Sequence, residues 1–210
     1  MTLQAYELAY ARGDRQLFNN INFELQAGEA LWVSGSNGSG KTSLLRLLCG
    51  LSFPMSGQVR WRGRDIKTLR EDFYDDVIFC GHAIGVKDDL TAWENVLIST
   101  KIAGKHCSRE DAYQALDQVG LAGISHLPAG ALSQGQRKRV ALARLCVQPL
   151  PRLLILDEPF TALDQHAVNS LRDTLDQHLS QGGMVVYTTH QELILKAERL
   201  HFLDLSKATC

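Results

Sequence analysis

The spacing of apolar and polar residues predicts that the first third of the chain is rich in β-strands. Phe23 to Leu25 and Ala30 to Ser34 have strand-like patterns and flank a turn at Gln26 to Gly28. Gln58 to Arg62 alternates apolar and polar residues, as a strand with one buried face does. We therefore expect several strands here, joined by tight turns.

Helical patterns follow, and the C-terminal part of the chain alternates between the two kinds of element. Residues 91–122 contain helix-like stretches such as Glu110 to Val119, which Gly120 would end. Beyond them the predicted elements are a strand at Leu153 to Leu156, a helix from about Asp164 to Ser180, a strand at Met184 to Thr188 and a helix from about Gln191. Unbroken apolar strands that alternate with helices are typical of a parallel sheet covered by helices, so the predicted fold class is α/β.

Composition limits the kinds of protein that the chain can be. With 210 residues it has the size of one domain, and 22 Lys and Arg against 23 Asp and Glu give a formal net charge of −1. Proteins held on a nucleic-acid backbone usually carry an excess of basic residues, so we expect no nucleic-acid partner. No apolar run approaches the roughly 18 residues of a membrane-spanning helix, and the N-terminus lacks the pattern of a secretion signal. Five widely spaced cysteines without a C-x-x-C pair favour reduced thiols.

The first segment that carries chemistry is a glycine-rich loop between an apolar strand and an apolar-striped helix. Residues 35–42 have the sequence G-S-N-G-S-G-K-T, which fits the phosphate-binding pattern G-x-x-x-x-G-K-[ST]. The glycines let backbone N–H groups approach phosphate oxygens, Lys41 would reach the β- and γ-phosphates, and the Thr42 hydroxyl would bind Mg²⁺. The residues expected to hold the nucleotide are Gly35, Ser36, Asn37, Gly38, Ser39, Gly40, Lys41, Thr42 and Ser43.

Two adjacent acids indicate which reaction the protein catalyses. The phosphate loop alone does not distinguish a kinase, a GTPase and an ATP-driven motor. Asp157 and Glu158 directly follow the apolar strand Leu153 to Leu156. At the carboxyl end of a parallel strand, Asp157 can hold Mg²⁺ through water beside Thr42, and Glu158 can orient and polarise an attacking water. The pair therefore favours hydrolysis over transfer to an organic acceptor.

A third segment predicts the start of a helix that could bind an anion. Ser133 followed by Gln136 is a capping-box pattern. The free N–H groups and the positive end of such a helix attract negative charge. By itself, the pattern also fits an ordinary capped helix.

Taken together, five segments resemble the ordered motif set of ABC-type ATPases. They are G-S-N-G-S-G-K-T at 35–42, L-S-Q-G-Q at 132–136, L-L-I-L-D-E-P at 153–159, T-A-L-D at 161–164 and T-T-H at 188–190. The resemblance runs from about Leu3 to Leu205. It implies a single P-loop NTPase domain over residues 1–210, with a mainly parallel RecA-like sheet and an N-terminal antiparallel β-subdomain. It also implies a helical signature subdomain inserted at roughly residues 84–140.

The same resemblance implies that two copies of the chain pair head to tail. ATP would lie between the phosphate loop of one copy and the L-S-Q-G-Q segment of the other, so that Ser133, Gly135 and Gln136 act in trans. Asp164 would belong to the loop that connects the two sites. His190 would contact the γ-phosphate and place water beside Glu158. The implied ligands are ATP and Mg²⁺.

Three positions depart from the general pattern or fit it loosely. Gln134 stands where the signature usually has a glycine, but the residues expected to touch phosphate are retained. His82 stands where these ATPases usually carry a glutamine that senses Mg²⁺ and couples to a membrane partner, and an imidazole can also hydrogen-bond a metal-bound water. Tyr10 is the nearest aromatic candidate for stacking on adenine, and a packing role fits it equally well.

Within the ABC group, the chain resembles the ATP-binding subunits of the cytochrome c maturation system, the CcmA family. The residues that carry this resemblance are G-H-x-x-G-x-K at 81–87, R-G-x-R-x-L-F at 12–18 and L-D-E-P-F-T-A-L-D at 156–164. The resemblance implies the energy-coupling subunit of a haem-exporter complex at the cytoplasmic face of the bacterial inner membrane. Its partners would be a membrane permease of the CcmB type and further haem-handling membrane proteins.

Other classes stay open on sequence alone. Another small-substrate ABC exporter would carry the same core motifs. Soluble ABC ATPases that act on DNA or on the ribosome have a long coiled-coil insertion or a second cassette, and this sequence contains neither. A P-loop small-molecule kinase is the least favoured alternative, because L-S-Q-G-Q and His190 do not fit it.

Overall fold

The strands of the described residues form two sheets. The computed structural model describes residues 1–83, 85–191 and 193–207. In chain order the strands are β1 (Thr2–Arg12), β2 (Arg15–Gln26), β3 (Ala30–Ser34), β4 (Ser56–Trp61), β5 (Arg64–Asp65), β6 (Val77–Cys80), β7 (Leu153–Leu156), β8 (Met184–Thr188) and β9 (Leu200–Asp204). One sheet is antiparallel with the order β2-β1-β4-β5, and the other is parallel with the order β6-β7-β8-β3-β9. The predicted parallel sheet is therefore confirmed.

Helices occupy much of the remaining described chain, and none of them combines the length and the apolar character needed to cross a bilayer. The α-helices are α1 (Lys41–Leu48), α2 (Ile66–Leu69), α3 (Glu71–Tyr74), α4 (Ala92–Ile102), α5 (Arg109–Gln118), α6 (Gln134–Ala143) and α7 (Gln165–Ser180). Short 3-10 helices lie at Ala122–Ile124, Ala129–Ala131, Arg144–Cys146 and Leu205–Lys207. The helices predicted near residues 110–119 and 164–180 are confirmed as α5 and α7.

The chain divides into two compact units. The first contains residues 1–81, 151–158 and 178 onward, and the second contains residues 82–150 and 159–177. Both sheets belong to the first unit, whose core joins β1, β2, α1 and the strands of the parallel sheet. The second unit has its own core beneath α4, α5 and α6. It begins two residues before the expected helical insertion and includes a segment beyond it, residues 159–177.

Capping boxes fix where three helices of the second unit begin. Thr91 caps α4, Ser108 caps α5 and Ser133 caps α6, each with a reciprocal bond to the side chain three residues on. Each box satisfies two backbone N–H groups that a helix start otherwise leaves without partners. Gly120, with φ of 72°, follows α5 as expected for a residue that ends a helix.

The parallel sheet gathers the phosphate loop and the two acids at one edge. β3 leads into residues 35–40 and then α1, β7 ends immediately before Asp157, and β8 ends at Thr188. β8 lies between β3 and β7, and all residues of β7 and β8 are buried. Because parallel strands have their carboxyl ends on the same side, these segments meet at the edge where ligands bind in open α/β sheets.

The helix predicted from about Gln191 is wrong. Residues 193–197 have no helical hydrogen bonding, and the chain continues into β9 instead. Leu193 and Leu195 are buried, whereas Ile194 between them is 64% exposed. This two-residue alternation is that of an extended segment, and the Leu193 carbonyl accepts a hydrogen bond from the Tyr187 hydroxyl at 3.0 Å. Tertiary contacts therefore override the helical propensity of this stretch.

The described cysteines are thiols. Cys49, Cys80, Cys107 and Cys146 form no disulfide with one another, and Cys210 lies outside the described residues. Burial raises the pKa of the Cys146 thiol to about 11. A thiol with so high a pKa is a poor nucleophile near neutral pH, because the thiolate is the reactive form.

His178 is expected to make the protein less stable in mild acid. Its side chain is buried near the end of α7, and a Cβ on Gly183 would come within 2.1 Å of its Nε2. Burial lowers the pKa of His178 below its ordinary value of 6.5. The charge of Arg152 acts in the same direction, and backbone hydrogen bonds with Met184 and Arg152 oppose both. The unfolded chain therefore binds a proton at a pH where the folded chain does not, so stability falls as the pH drops through 6.5 toward the folded pKa.

Thermal unfolding at about pH 7.5 and about pH 5.5 tests this expectation. The wild-type melting temperature should fall more between these values than that of His178→Gln. His126→Gln is the matched control, because His126 is exposed, and it should behave as the wild type does. Equal pH dependence in the wild type and His178→Gln would show that another group is responsible.

Candidate functional site

Backbone geometry explains the glycines of the phosphate loop. Gly35, Gly38 and Gly40 have φ values of 143°, 80° and 102°, which residues with a side chain rarely adopt. At two of these glycines there is also little space for a side chain. A Cβ on Gly35 would lie 2.6 Å from the Ser39 Oγ, and one on Gly40 would lie 3.1 Å from the Phe18 ring. The loop can therefore turn tightly into α1, whose N-terminal N–H groups and dipole attract an anion.

Lys41 lies across the loop at the start of α1. Its Nζ donates hydrogen bonds to the carbonyl oxygens of Gly35 at 2.7 Å and Ser36 at 3.4 Å. The side chain is buried, so the ammonium is held against the loop rather than extended into solvent. This position suits a cation that binds phosphate groups in the same loop.

Asp157 is the centre of a hydrogen-bond network within the first unit. Its Oδ2 accepts from the Thr42 hydroxyl at 2.7 Å, and its Oδ1 accepts from the Thr188 hydroxyl at 2.9 Å. Its backbone N–H donates to the Cys80 carbonyl at 2.8 Å. The Asp157 side chain is buried, and these bonds fix its orientation relative to α1 and β8.

Glu158, the residue after Asp157, has a left-handed backbone. Its φ is 51°, and its N–H donates to the Thr188 hydroxyl at 2.8 Å. Its Oε1 lies 3.3 Å from the Nε2 of His190, whose side chain is 57% exposed against 13% for Glu158. The two predicted catalytic side chains are therefore adjacent, with the histidine on the solvent side.

The residues present suit Mg²⁺. Thr42 Oγ1 and Asp157 Oδ2 are hard oxygen donors 2.7 Å apart at the start of α1, and Mg²⁺ in nucleotide sites takes one or two protein oxygens with waters and phosphates. In the described part of the chain, no three His, Cys, Asp or Glu side chains cluster as a metal cage would require. The donor set thus fits a metal shared with a nucleotide.

The signature segment forms the start of α6 in the second unit. The predicted capping box is confirmed: the Ser133 N–H donates to Gln136 Oε1 at 2.8 Å, and the Gln136 N–H donates to Ser133 Oγ at 3.2 Å. A Cβ on Gly135 would lie 2.9 Å from the Ala162 carbonyl, so this position leaves little space for a side chain.

Asp164 begins α7 in the same unit. Its Oδ1 accepts from the Ala167 N–H at 2.8 Å, the geometry of a helix cap. This bond lowers the pKa of the Asp164 carboxyl, and the charge of Arg139, 3.9 Å away, adds to the effect. The carboxylate is therefore ionised at neutral pH and exposed to solvent.

The predicted residues are divided between the two units. The phosphate loop, Asp157, Glu158 and His190 lie in the first unit, and Ser133, Gly135, Gln136, Asp164 and His82 lie in the second. His82 is exposed. In the first unit, Tyr10 stacks on Phe18 with ring centroids 6.0 Å apart, and Phe18 in turn lies against Gly40.

Thr188 belongs to the T-T-H segment singled out above, but the sequence analysis assigned it no role of its own. It connects Asp157 to the backbone of Glu158. The available signal was a hydroxyl residue at the carboxyl end of an otherwise apolar strand, beside the strand that carries the two acids.

Known proteins resemble this chain over nearly its whole length. The sequence profile of the ABC transporter family matches residues 18–161. The cytochrome c biogenesis ATP-binding export protein CcmA of Nitrosomonas europaea is 52% identical over 204 residues, which cover 97% of this chain and 95% of the relative. The protein of the same name from Pseudomonas aeruginosa is 46% identical over 197 residues, covering 94% of this chain and 97% of the relative.

Solved structures share the fold. A bacterial ABC transporter cassette solved as a dimer has a TM-score of 0.82 at 24% identity and covers 97% of this chain and 94% of its own. A dimeric ATP-binding cassette in a post-hydrolysis state with ADP and Pi has a TM-score of 0.81 at 25% identity, with coverages of 96% and 94%.

Proposed function

Because this chain belongs to the ABC transporter family and, within it, to the cytochrome c biogenesis ATP-binding export proteins, we propose that it is the ATP-hydrolysing subunit of a membrane export complex for c-type cytochrome biogenesis. The observation that carries the proposal is the network at the edge of the parallel sheet. There the phosphate-loop Thr42, Asp157 and Glu158 are joined, and His190 lies against Glu158. An ATPase needs these groups together.

The phosphate loop binds ATP through its backbone and through Lys41. The positive-φ glycines turn backbone N–H groups toward the phosphates, and the Lys41 ammonium moves from the Gly35 carbonyl to the β- and γ-phosphate oxygens. Thr42 and Asp157 would hold Mg²⁺, Asp157 through water in the sequence-based expectation, and the metal would supply positive charge that offsets the negative charge of the phosphates.

Glu158 acts as the general base for hydrolysis. Its carboxylate takes a proton from a water whose oxygen attacks the γ-phosphorus, and the bond from that phosphorus to the β–γ bridging oxygen breaks to leave ADP. His190, 3.3 Å from Glu158 Oε1, holds the water and contacts the γ-phosphate. A mobile base would spend little time aligned with the water, so the fixed backbone of Glu158 matters for rate.

Two copies of the chain complete each site. Ser133, Gly135 and Gln136, at the positive start of α6, contact the γ-phosphate bound to the other copy. The missing side chain of Gly135 permits the close approach. Asp164, ionised at the start of α7, lies in the loop that transmits the state of one site to the other.

The membrane partner is a permease of the CcmB type at the cytoplasmic face of the inner membrane, with further haem-handling membrane proteins. Dimer closure on ATP would move this partner, and hydrolysis would reset it. His82 would take the role of the usual glutamine at the link to the permease. Its exposure is compatible with contact to a partner.

Deleting the gene tests the biological part of this proposal. We expect the strain to lose c-type cytochromes and to retain b-type cytochromes, because haem synthesis would continue while attachment to apocytochromes would stop. The measurement is haem staining of membrane proteins together with reduced-minus-oxidised spectra. Complementation by the wild-type chain should restore c-type cytochromes. Normal c-type cytochromes in the deletion strain would refute the assignment.

A further inference from the structure

We propose that Thr188 is a positioning residue for hydrolysis, one that sets Asp157 and Glu158 relative to each other. The proposal rests on the function proposed above. Thr188 is the last residue of β8 and is completely buried. Its side chain touches no solvent, so its role must lie in its contacts.

The register of the sheet places Thr188 beside the two acids. Leu156 of β7 pairs with Tyr187 of β8, so the next residues, Asp157 and Thr188, follow side by side. On the other side of β8, Thr188 pairs with Val33, close to the start of the phosphate loop. One side chain thus lies between the strand that carries the acids and the strand that leads to the loop.

The direction of the hydrogen bonds is fixed by chemistry. A backbone N–H can only donate, so the Thr188 hydroxyl must accept from Glu158 at 2.8 Å. Its single proton is then directed to Asp157 Oδ1 at 2.9 Å. Since Thr42 donates to Oδ2, both oxygens of the Asp157 carboxylate are held by threonine hydroxyls from different elements.

The same hydroxyl supports the unusual backbone of Glu158. A φ of 51° is uncommon for a residue with a side chain, and such conformations persist where the surroundings hold them. The bond to Thr188 is one such restraint. It restrains the backbone of the residue whose carboxylate lies 3.3 Å from His190.

Thr188→Val is the informative variant, because valine keeps the shape and removes the hydroxyl. We expect kcat for ATP to fall by between about tenfold and a hundredfold, since a base displaced by a fraction of an ångström loses alignment with the water. The dissociation constant for ATP should change by less than about threefold, because phosphate binding depends mainly on the loop and Lys41. Thr188→Ser, which keeps the hydroxyl, should recover most of the rate.

The measurements use the full chain purified with its membrane partners. ATP turnover gives kcat and KM, and titration with a ribose-labelled fluorescent ATP gives affinity. Thr100→Val is the matched control, because Thr100 is a buried threonine of α4 outside the site, and its kcat should match the wild type. In a Glu158→Gln background, Thr188→Val should lower the residual rate little further, because both changes disable the same group.

Three outcomes would overturn the proposal. The first is a wild-type kcat in Thr188→Val. The second is a loss of ATP affinity in Thr188→Val by the same factor as the loss of kcat. The third is a double variant, Glu158→Gln with Thr188→Val, whose residual rate falls by the same factor that Thr188→Val causes in the wild-type background. The last two would indicate a merely structural role. These failures are distinct from failure of the proposed function, which would appear as normal turnover in Glu158→Gln itself.

Discussion

Replacing Glu158 by glutamine is expected to lower ATP turnover by about a thousandfold, within the range for loss of a general base. Glutamine has nearly the same shape as glutamate but cannot take a proton from water. The backbone bond from residue 158 to Thr188 does not involve the changed atoms and should persist. ATP affinity should therefore stay within about threefold of the wild type, and the variant should accumulate as an ATP-bound dimer.

Phosphate release and size-exclusion chromatography with ATP measure the two effects. Glu110→Gln is the matched control, because Glu110 is an acid in the first turn of α5 and lies outside the site. Its turnover should equal that of the wild type. A Glu158→Gln protein that hydrolyses ATP at the normal rate would falsify the assignment of the base.

The fold could be predicted where the apolar pattern was long or ended by clear signals. β7 and β8 are uninterrupted apolar runs, and α5 is bounded by Ser108 and Gly120, so the sequence determines them locally. The segment after Gln191 could not be predicted in this way. Its leucines at 193 and 195 fit a helix by composition, but the buried Tyr187 hydroxyl requires the Leu193 carbonyl, which a helix would use internally.

The sequence predicted which residues form the site but only part of how they are arranged. Motif order identified Asp157, Glu158 and His190, and the structure brings them together. Neither the positive φ of Glu158 nor the contact of Thr188 with both acids could be inferred, because each depends on the register between two strands far apart in sequence. A strand pattern predicts which residues are buried but not which atoms they hydrogen-bond.

Replacing Lys41 by alanine is expected to weaken ATP binding by at least about a hundredfold. The reason is the loss of charge-assisted hydrogen bonds to the β- and γ-phosphates, each worth about 1.5–3 kcal/mol. In the folded chain the ammonium is buried and bonded to the carbonyls of Gly35 and Ser36, so its removal also loosens the loop. Lys41→Ala should therefore raise the dissociation constant for ATP, whereas Glu158→Gln should lower turnover and leave that constant nearly unchanged.

Titration with ribose-labelled fluorescent ATP measures the Lys41→Ala affinity, and thermal unfolding without nucleotide shows whether the protein is folded. Lys101→Ala is the matched control, since Lys101 is an exposed lysine in the last turn of α4, and its affinity should be unchanged. If Lys41→Ala bound ATP as the wild type does but failed to hydrolyse it, Lys41 would act on the transition state alone. Binding would then depend on the backbone N–H groups of residues 35–42, and on the start of α1.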